Sequence, residues 1–340
     1  MMKTRESIFK TKEGKIDMKF DEHLLDPEIK KEGLLGSLMK RYYSKRICKI
    51  ANKIMSKTMA GKCSNKELRY EERWIKRKDG GKLRICIYRP KEVKKDVPGL
   101  LWIHGGGYAM GIPEMDIGFI ERFIKESGCV IVSPDYRLSP EAPYPAAFED
   151  CYAALLWLKH NAEKLGVRSN QIMVGGDSAG GGLTAALTLY ARDRGTVNIA
   201  FQMPLYPMID DRMNTDSATD NDAPVWNSEL NYKGWKYYLG KDFQTDNVSK
   251  YAAPSRETDY SNLPPTCTFV GGLEPFRDET ITYIENLKKA GVITHFKVFD
   301  GCYHAFEQSN PESKVAKEAT TFLYDTFKYA VQHYFAEQKK

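Results

Sequence analysis

The chain has 340 residues, and its 51 Lys and Arg against 45 Asp and Glu leave a formal charge of +6, too mild and too mixed with acids for a nucleic-acid-binding protein. Hydrophobic residues at 42 % suffice for a sizeable core, and no apolar stretch is long enough to span a bilayer. The opening Met1-Met2-Lys3-Thr4-Arg5-Glu6 carries no apolar signal segment, and the seven scattered cysteines show neither metal-like pairs nor a disulfide framework, so the expected compartment is the cytoplasm.

From Lys30 to Lys57, the basic residues Lys30, Lys31, Lys40, Arg41, Lys45, Arg46, Lys49 and Lys53 interleave with Leu34, Leu35, Leu38, Met39, Tyr42, Ile47, Ile50 and Ile54 at helical spacing. A membrane-surface helix is one reading. Helices packed by their apolar faces are the favoured one, with Gly33 and Gly36 marking a break between two of them. A hairpin follows, Glu72–Lys76 and Lys82–Tyr88 flanking Asp79-Gly80-Gly81. Strand-like runs near Leu100, Val130, Ile172, Phe201, Cys267 and Ile293 then alternate with helical patterns such as Ala146–His160 and Asp278–Ala290. That alternation predicts an α/β fold with a mainly parallel sheet covered on both faces. Between Tyr206 and Thr266 lies a long insertion whose predicted helix, Val225 to Leu239, carries Trp226, Tyr232, Trp235, Tyr237 and Tyr238.

The run Ile172-Met173-Val174-Gly175-Gly176-Asp177-Ser178-Ala179-Gly180-Gly181-Gly182 reads as strand, sharp turn and helix with a serine at the turn. Glycines at 176 and 180 let strand and helix approach around a strained Ser178, whose hydroxyl is expected to project into an open site. Upstream, the strand Leu100–Ile103 runs into His104-Gly105-Gly106-Gly107-Tyr108. Gly106 and Gly107, unobstructed by Cβ atoms, can present backbone N–H groups to an oxygen that gains charge. Ala179 supplies a third donor from a helix N-terminus. Phosphate binding is the rival reading of these glycines. Neither cluster is followed by Gly-Lys-Ser/Thr or forms the spaced triple-glycine fingerprint of dinucleotide sites.

A serine needs a general base and an acid that holds the base's tautomer. In an elbow of this kind both follow the serine in the chain, which removes His23, His104 and His160 and leaves His295, His304 and His333. His304 follows a glycine turn at the end of the run Ile293–Phe299. His295 lies inside that run and His333 in a helical pattern, so His304 is favoured. For the acid, Glu274 stands at the exit of the strand ending at Gly272, kept in a loop by Pro275. Asp278, four residues on, suits the start of a helix. Glu274 is favoured, with Asp278 the alternative. Cys86, Cys129, Cys151 and Cys267 read as small core residues; Cys302, close to His304, is placed to modulate the site but has no elbow of its own.

These residues carry a family resemblance. The segments His104–Gly107, Asp135-Tyr136-Arg137-Leu138-Ser139-Pro140-Glu141, Gly176–Gly181, Leu263-Pro264-Pro265, Glu274-Pro275-Phe276-Arg277-Asp278-Glu279 and His304 resemble the hormone-sensitive-lipase-like (bacterial family IV) carboxylesterases of the α/β-hydrolase fold. One departure is Glu274, where that family usually has aspartate. The resemblance implies a cap over the active site, made of an N-terminal segment, residues 1–68, and an insertion, residues 207–250. The catalytic core would then comprise residues 69–206 and 251–340, with Asp135-Tyr136-Arg137 as scaffold. It implies a serine esterase acting on short acyl esters through an acyl-enzyme, with Ser178, His304 and Glu274 as triad, Gly106, Gly107 and Ala179 as oxyanion hole, and no metal or organic cofactor. Amides and sugar acetates are alternative substrates, and a non-catalytic small-ligand receptor is the rival from another class. The expected partner is a small-molecule ester, without nucleic acid or stable membrane insertion; a homodimer is compatible with the sequence.

Overall fold

A computed structural model describes residues 21–36, 43–63, 65–92, 95–139 and 141–338. Leu38, Met39, Lys40, Arg41 and Tyr42 of the amphipathic segment, Pro140 of the family motif and the opening Met1–Glu6 lie outside the described residues.

Eight strands form one sheet: β1 (Leu68–Lys76), β2 (Lys82–Pro90), β3 (Val97–Ile103), β4 (Val130–Pro134), β5 (Val167–Asp177), β6 (Phe201–Leu205), β7 (Thr266–Gly271) and β8 (Thr294–Phe299). Their order is β1-β2-β4-β3-β5-β6-β7-β8. The hairpin β1–β2 and the β2–β4 pair are antiparallel, and every other pairing is parallel. Strands β3, β4, β6 and β7 are buried along their whole length, as the unbroken apolar runs of a sheet covered on both faces require. At one edge, β1 is exposed or half-buried beyond Leu68; at the other, β8 is half-buried almost throughout.

On one face, α3 (Ile117–Ser127) packs with α9 (Lys314–His333), and the Trp102 ring of β3 meets Phe119 and Phe123 at 5.0 Å. On the other lie α4 (Ala146–Leu165) and α5 (Ala179–Arg194), with Leu155, Leu158, Leu183 and Leu187 in one buried cluster with Leu101, Ile103 and Val174. Helix α7 (Arg277–Lys289) joins that side through Tyr283, Ile284 and Leu287 against Ala185 and Leu189 of α5. Among the described residues no helix is long and apolar enough to cross a membrane.

Several boundaries differ from expectation for identifiable reasons. Helix α4 continues past His160 to Leu165, where Gly166 in a left-handed conformation (φ 74°) ends it. Helix α6 is Ser228–Leu239 and does not begin at Val225, because Val225 itself is left-handed (φ 66°) and the Asn227 side chain accepts the Leu230 N–H at 2.9 Å as an N-cap. Of the two glycines expected to mark a break, Gly36 ends α1 (Lys30–Gly36), whereas Gly33 lies inside it, where a Cβ would lie 2.5 Å from the Tyr303 ring. A second N-terminal helix, α2, spans Lys45–Thr58.

Candidate active site

Strand β5 ends by delivering Ser178 in a backbone conformation that side chains rarely adopt, φ 55° and ψ −115°, immediately before α5. The strain is held by hydrogen bonds. The Ser178 N–H donates to the Leu205 carbonyl at 2.9 Å, and the Ser178 carbonyl accepts from Gly182 at 2.9 Å and Met208 at 3.0 Å. A Cβ at Gly176 or Gly180 would collide with the Ile103 carbonyl oxygen, so the turn closes onto β3 only with glycine on both sides of the serine. Ser178 is buried at 5 % exposure, in contrast to the open site expected from the sequence.

The loops after β7 and β8 are tied together: Gly272 donates to the Phe299 carbonyl at 2.8 Å and Leu273 to the Cys302 carbonyl at 2.9 Å. That pairing brings Glu274 against His304. The imidazole Nδ1 lies 2.5 Å from Glu274 Oε2, and Nε2 lies 2.8 Å from Ser178 Oγ. The second Glu274 oxygen accepts the Gly271 N–H at 2.8 Å, so the carboxylate is oriented from both sides and fully buried. With Glu274 ionised, Nδ1 donates to it and Nε2 is left to accept the serine proton. Glutamate reaches the imidazole despite its extra methylene.

Asp278 is not part of this arrangement. It sits in the first turn of α7, accepting from the Ser217 N–H at 2.8 Å and from Arg277 Nε at 2.7 Å, while its own N–H donates to Ser217 Oγ at 3.0 Å. Its geometry is that of a helix-start tie between α7 and the segment after β6. His295 meets the Tyr334 hydroxyl at 2.9 Å and His333 ends α9, away from Ser178.

After β3 the chain turns through Gly106 (φ 109°) and Gly107 (φ 61°). Their N–H groups and that of Ala179 have no acceptor among the described residues. The loop is fixed instead through its carbonyls. Gly106 O accepts from Ala109 at 3.1 Å and Met110 at 3.0 Å, and Gly107 O accepts the Tyr43 hydroxyl at 3.0 Å. His104 is buried and stacks on Tyr136 at 4.2 Å, its Nδ1 2.8 Å from the Gly105 carbonyl. Burial holds its pKa down at about 4, so it is a neutral brace for the loop. Tyr136 adds a hydrogen bond to the His104 carbonyl at 2.9 Å, while Asp135 pairs with Arg84 and Arg137 with Asp150. The Asp135-Tyr136-Arg137 segment thus braces the fold around the site.

Aromatic rings enclose the imidazole: Tyr206 at 5.0 Å, Phe276 at 5.1 Å and Trp226 at 6.3 Å. Trp226 packs edge-on to Tyr43 at 5.4 Å, and Tyr43 stacks on Tyr237 at 5.9 Å. Trp235 and Tyr238 turn away from His304 to pack on Tyr108, Tyr238 at 3.8 Å. Cys302 is buried with its thiol pushed up by that burial, and Cys86, Cys129, Cys151 and Cys267 are buried free thiols. Sequence reasoning passed over Tyr43, Asp116, Tyr206, Glu307 and Gln308. Only Glu307 and Gln308, soon after His304, stand near a motif, and there they read as a plain polar turn.

A buried Ser–His–Glu chain beside unpaired backbone N–H groups, on this strand order, defines an α/β hydrolase. Residues 100–308 match the family described as the alpha/beta hydrolase fold. The chain is 33 % identical to carboxylesterase NlhH of Mycobacterium tuberculosis over 259 residues, 75 % of this chain and 80 % of that protein. It is 32 % identical to an arylesterase of Saccharolobus solfataricus over 251 residues, 72 % and 80 % of the two. Among solved structures it is similar to a bacterial heroin esterase, with a TM-score of 0.84 at 34 % identity over 92 % of this chain and 99 % of that one. A Pyrobaculum calidifontis esterase superposes with a TM-score of 0.76 at 31 % identity, over 90 % and 99 %. The chain belongs to the hormone-sensitive-lipase-like (family IV) carboxylesterases of the α/β-hydrolase fold and is a carboxylic ester hydrolase.

Proposed function

We propose that the enzyme hydrolyses short-chain acyl esters through an acyl-enzyme formed on Ser178. His304 takes the Ser178 proton as the hydroxyl oxygen attacks the ester carbonyl, and Glu274 holds the resulting imidazolium. The tetrahedral oxygen is stabilised by the N–H groups of Gly106, Gly107 and Ala179. His304 returns the proton to the departing alcohol oxygen as the ester C–O bond breaks. Water, deprotonated by the same imidazole, then attacks the acyl-serine and releases the acid. The reading rests on one observation above the rest: the unbroken path from Glu274 Oε2 through His304 to Ser178 Oγ.

The preference for short chains follows from the aromatic wall of Tyr206, Phe276 and Trp226 around the imidazole. The N-terminal segment and the insertion between β6 and β7 act as the cap. Their Tyr43 and Trp226 meet over Gly107, where a Cβ would strike both.

The test is kcat/KM across p-nitrophenyl esters from acetate to dodecanoate, with Ser178→Ala as control and pre-steady-state release of p-nitrophenol as the readout of acylation. Expected are a burst of one equivalent per site, kcat/KM falling beyond butyrate, and a loss of about 10⁶-fold in Ser178→Ala. Wild-type turnover by Ser178→Ala would overturn the nucleophile, and a rate rising with chain length would overturn the short acyl pocket.

A further inference from the structure

Beyond the Ser–His–Glu chain, three more carboxyl groups are buried around the turn carrying Ser178 and the loop carrying His304. Asp116, Asp177 and Glu307 are 6 %, 6 % and 3 % exposed. Trp102 Nε1 donates to Asp116 Oδ2 at 2.7 Å. Burial holds the Asp116 and Asp177 carboxyls above the usual carboxylate range, and the neighbouring Asp177 charge raises Asp116 further.

Glu307 is reached from His304 by one left-handed residue, Ala305 (φ 55°), and lies in the single turn α8 (Phe306–Ser309). Tyr206 donates its hydroxyl to Glu307 Oε1 at 2.5 Å. Gln308 Nε2 reaches Tyr206 Oη at 3.0 Å and Asp177 Oδ2 at 3.4 Å, clipping the histidine loop to the exits of β5 and β6. Glu307 Oε2 is buried without a hydrogen-bond partner among the described residues. A carboxylate in that position is stabilised by the Tyr206 hydroxyl, by its own backbone N–H and by whatever positive charge its neighbours can offer. Those neighbours are Asp177 from β5, Asp116 ahead of α3, Tyr206 from the exit of β6, Tyr324 from α9, Cys302 and Tyr303 on its own loop, and His304. Among these, only His304 becomes positive in the reaction.

We propose that Glu307 is a second carboxylate of the site, acting through His304: it is bonded to the hydroxyl of Tyr206, whose ring packs on the imidazole at 5.0 Å, so that when ionised it supports the imidazolium that forms as Ser178 gives up its proton, and Tyr206 and Gln308 are the positioning residues that hold it there. This rests on the acyl-transfer reading above. Burial raises the Glu307 pKa to about 7, with Asp177 adding to the rise and the Tyr206 hydrogen bond and His304 opposing it. Full activity then requires the Glu307 carboxyl to have lost its proton.

The experiment is the pH profile of kcat/KM for p-nitrophenyl acetate from pH 4.5 to 9, for wild type, Glu307→Gln and Tyr206→Phe, with Ser178→Ala as blank and thermal melts to establish folding. The amide carbonyl of Gln can still accept the Tyr206 hydroxyl, so a purely structural role would be rescued. Expected instead are an acid limb that is steeper in wild type than in Glu307→Gln over about one decade of rate, a Glu307→Gln plateau lower by roughly tenfold, equivalent to about 1.4 kcal/mol of imidazolium stabilisation, and KM little changed. Tyr206→Phe keeps the carboxyl but removes the hydrogen bond that favours its charged form. Its limb is expected at higher pH, and it tests the idea even if Glu307→Gln fails to fold. A Glu307→Gln profile superposable on wild type, or a Tyr206→Phe limb that stays in place, overturns the inference while leaving the triad intact. Turnover by Ser178→Ala would instead remove the reading beneath it.

Discussion

Glu274 Oε2 stands 2.5 Å from His304 Nδ1, while the carboxylate four residues further on is held by Ser217 at the start of α7. The two acids therefore differ in kind. Replacing Glu274 by Gln removes the charge that fixes the imidazole tautomer and supports the imidazolium, and a loss of about 10⁴-fold in kcat is expected. Asp278→Asn keeps an acceptor oxygen for only one of its two donors, the Ser217 N–H and Arg277 Nε, and should appear as a lower melting temperature with kcat/KM near wild type. Steady-state kinetics of the two variants side by side check the assignment, and equal losses would refute it.

Two glycines in helices should respond to alanine with opposite signs. An exposed helical glycine replaced by alanine ordinarily gains roughly 0.5–1 kcal/mol. Gly118 in α3 has nothing within 4 Å of where a Cβ would go, so Gly118→Ala should raise the melting temperature. At Gly180 the same methyl would run into the backbone carbonyls of Ile103 and His104, which cannot yield without moving β3 and the loop that follows it. Gly180→Ala should lower the melting temperature and reduce kcat together, since the displaced loop carries Gly106 and Gly107.

Tyr43 belongs to the N-terminal segment, yet its hydroxyl is bonded to the Gly107 carbonyl. Tyr43→Phe keeps the stacking on Tyr237 and the edge contact with Trp226 while deleting that bond, whose net worth is about 1 kcal/mol. The expected result is a kcat lower by about fivefold with KM unchanged, because the loss falls on a donor that engages only as charge develops. A rise in KM alone would instead assign Tyr43 to ground-state binding.

Parts of this site are legible in the sequence because their physics is local. A strained serine turn between a strand and a helix demands glycines within two residues on either side, and a loop that offers backbone N–H groups demands glycines of its own, so both announce themselves as clusters. Chain order leaves three histidines and two acids, loop position favours His304 and Glu274 among them, and the structure brings these two together with Ser178. Tyr43 is different: nothing near it in the chain signals a bond to Gly107. Glu307 and Asp116 are ordinary acids in sequence, and only the packing of β5, β6 and α9 around them makes their charge expensive. The start of α6 is hidden from the sequence for a related reason, since the left-handed turn at Val225 is imposed on a β-branched residue that local propensity would never choose. Gly33 lies inside α1, where the Tyr303 ring leaves no room for a Cβ.

The burial of Glu307 should also be visible in stability, independently of catalysis. A carboxyl whose pKa rises from the model-compound value of 4.5 to about 7 on folding is protonated in the native state over a range where the unfolded chain has already lost its proton. The unfolded state then binds fewer protons, so stability falls as pH rises from about 4.5 to about 7 and levels off beyond. The loss is on the order of 3 kcal/mol for a shift of this size. Glu307→Gln abolishes this titration. The variant should therefore gain stability relative to wild type on going from pH 4.5 to pH 8, as read from urea midpoints at the two pH values. A wild-type-minus-variant difference that is the same at both pH values would mean that Glu307 is ionised, and compensated, throughout.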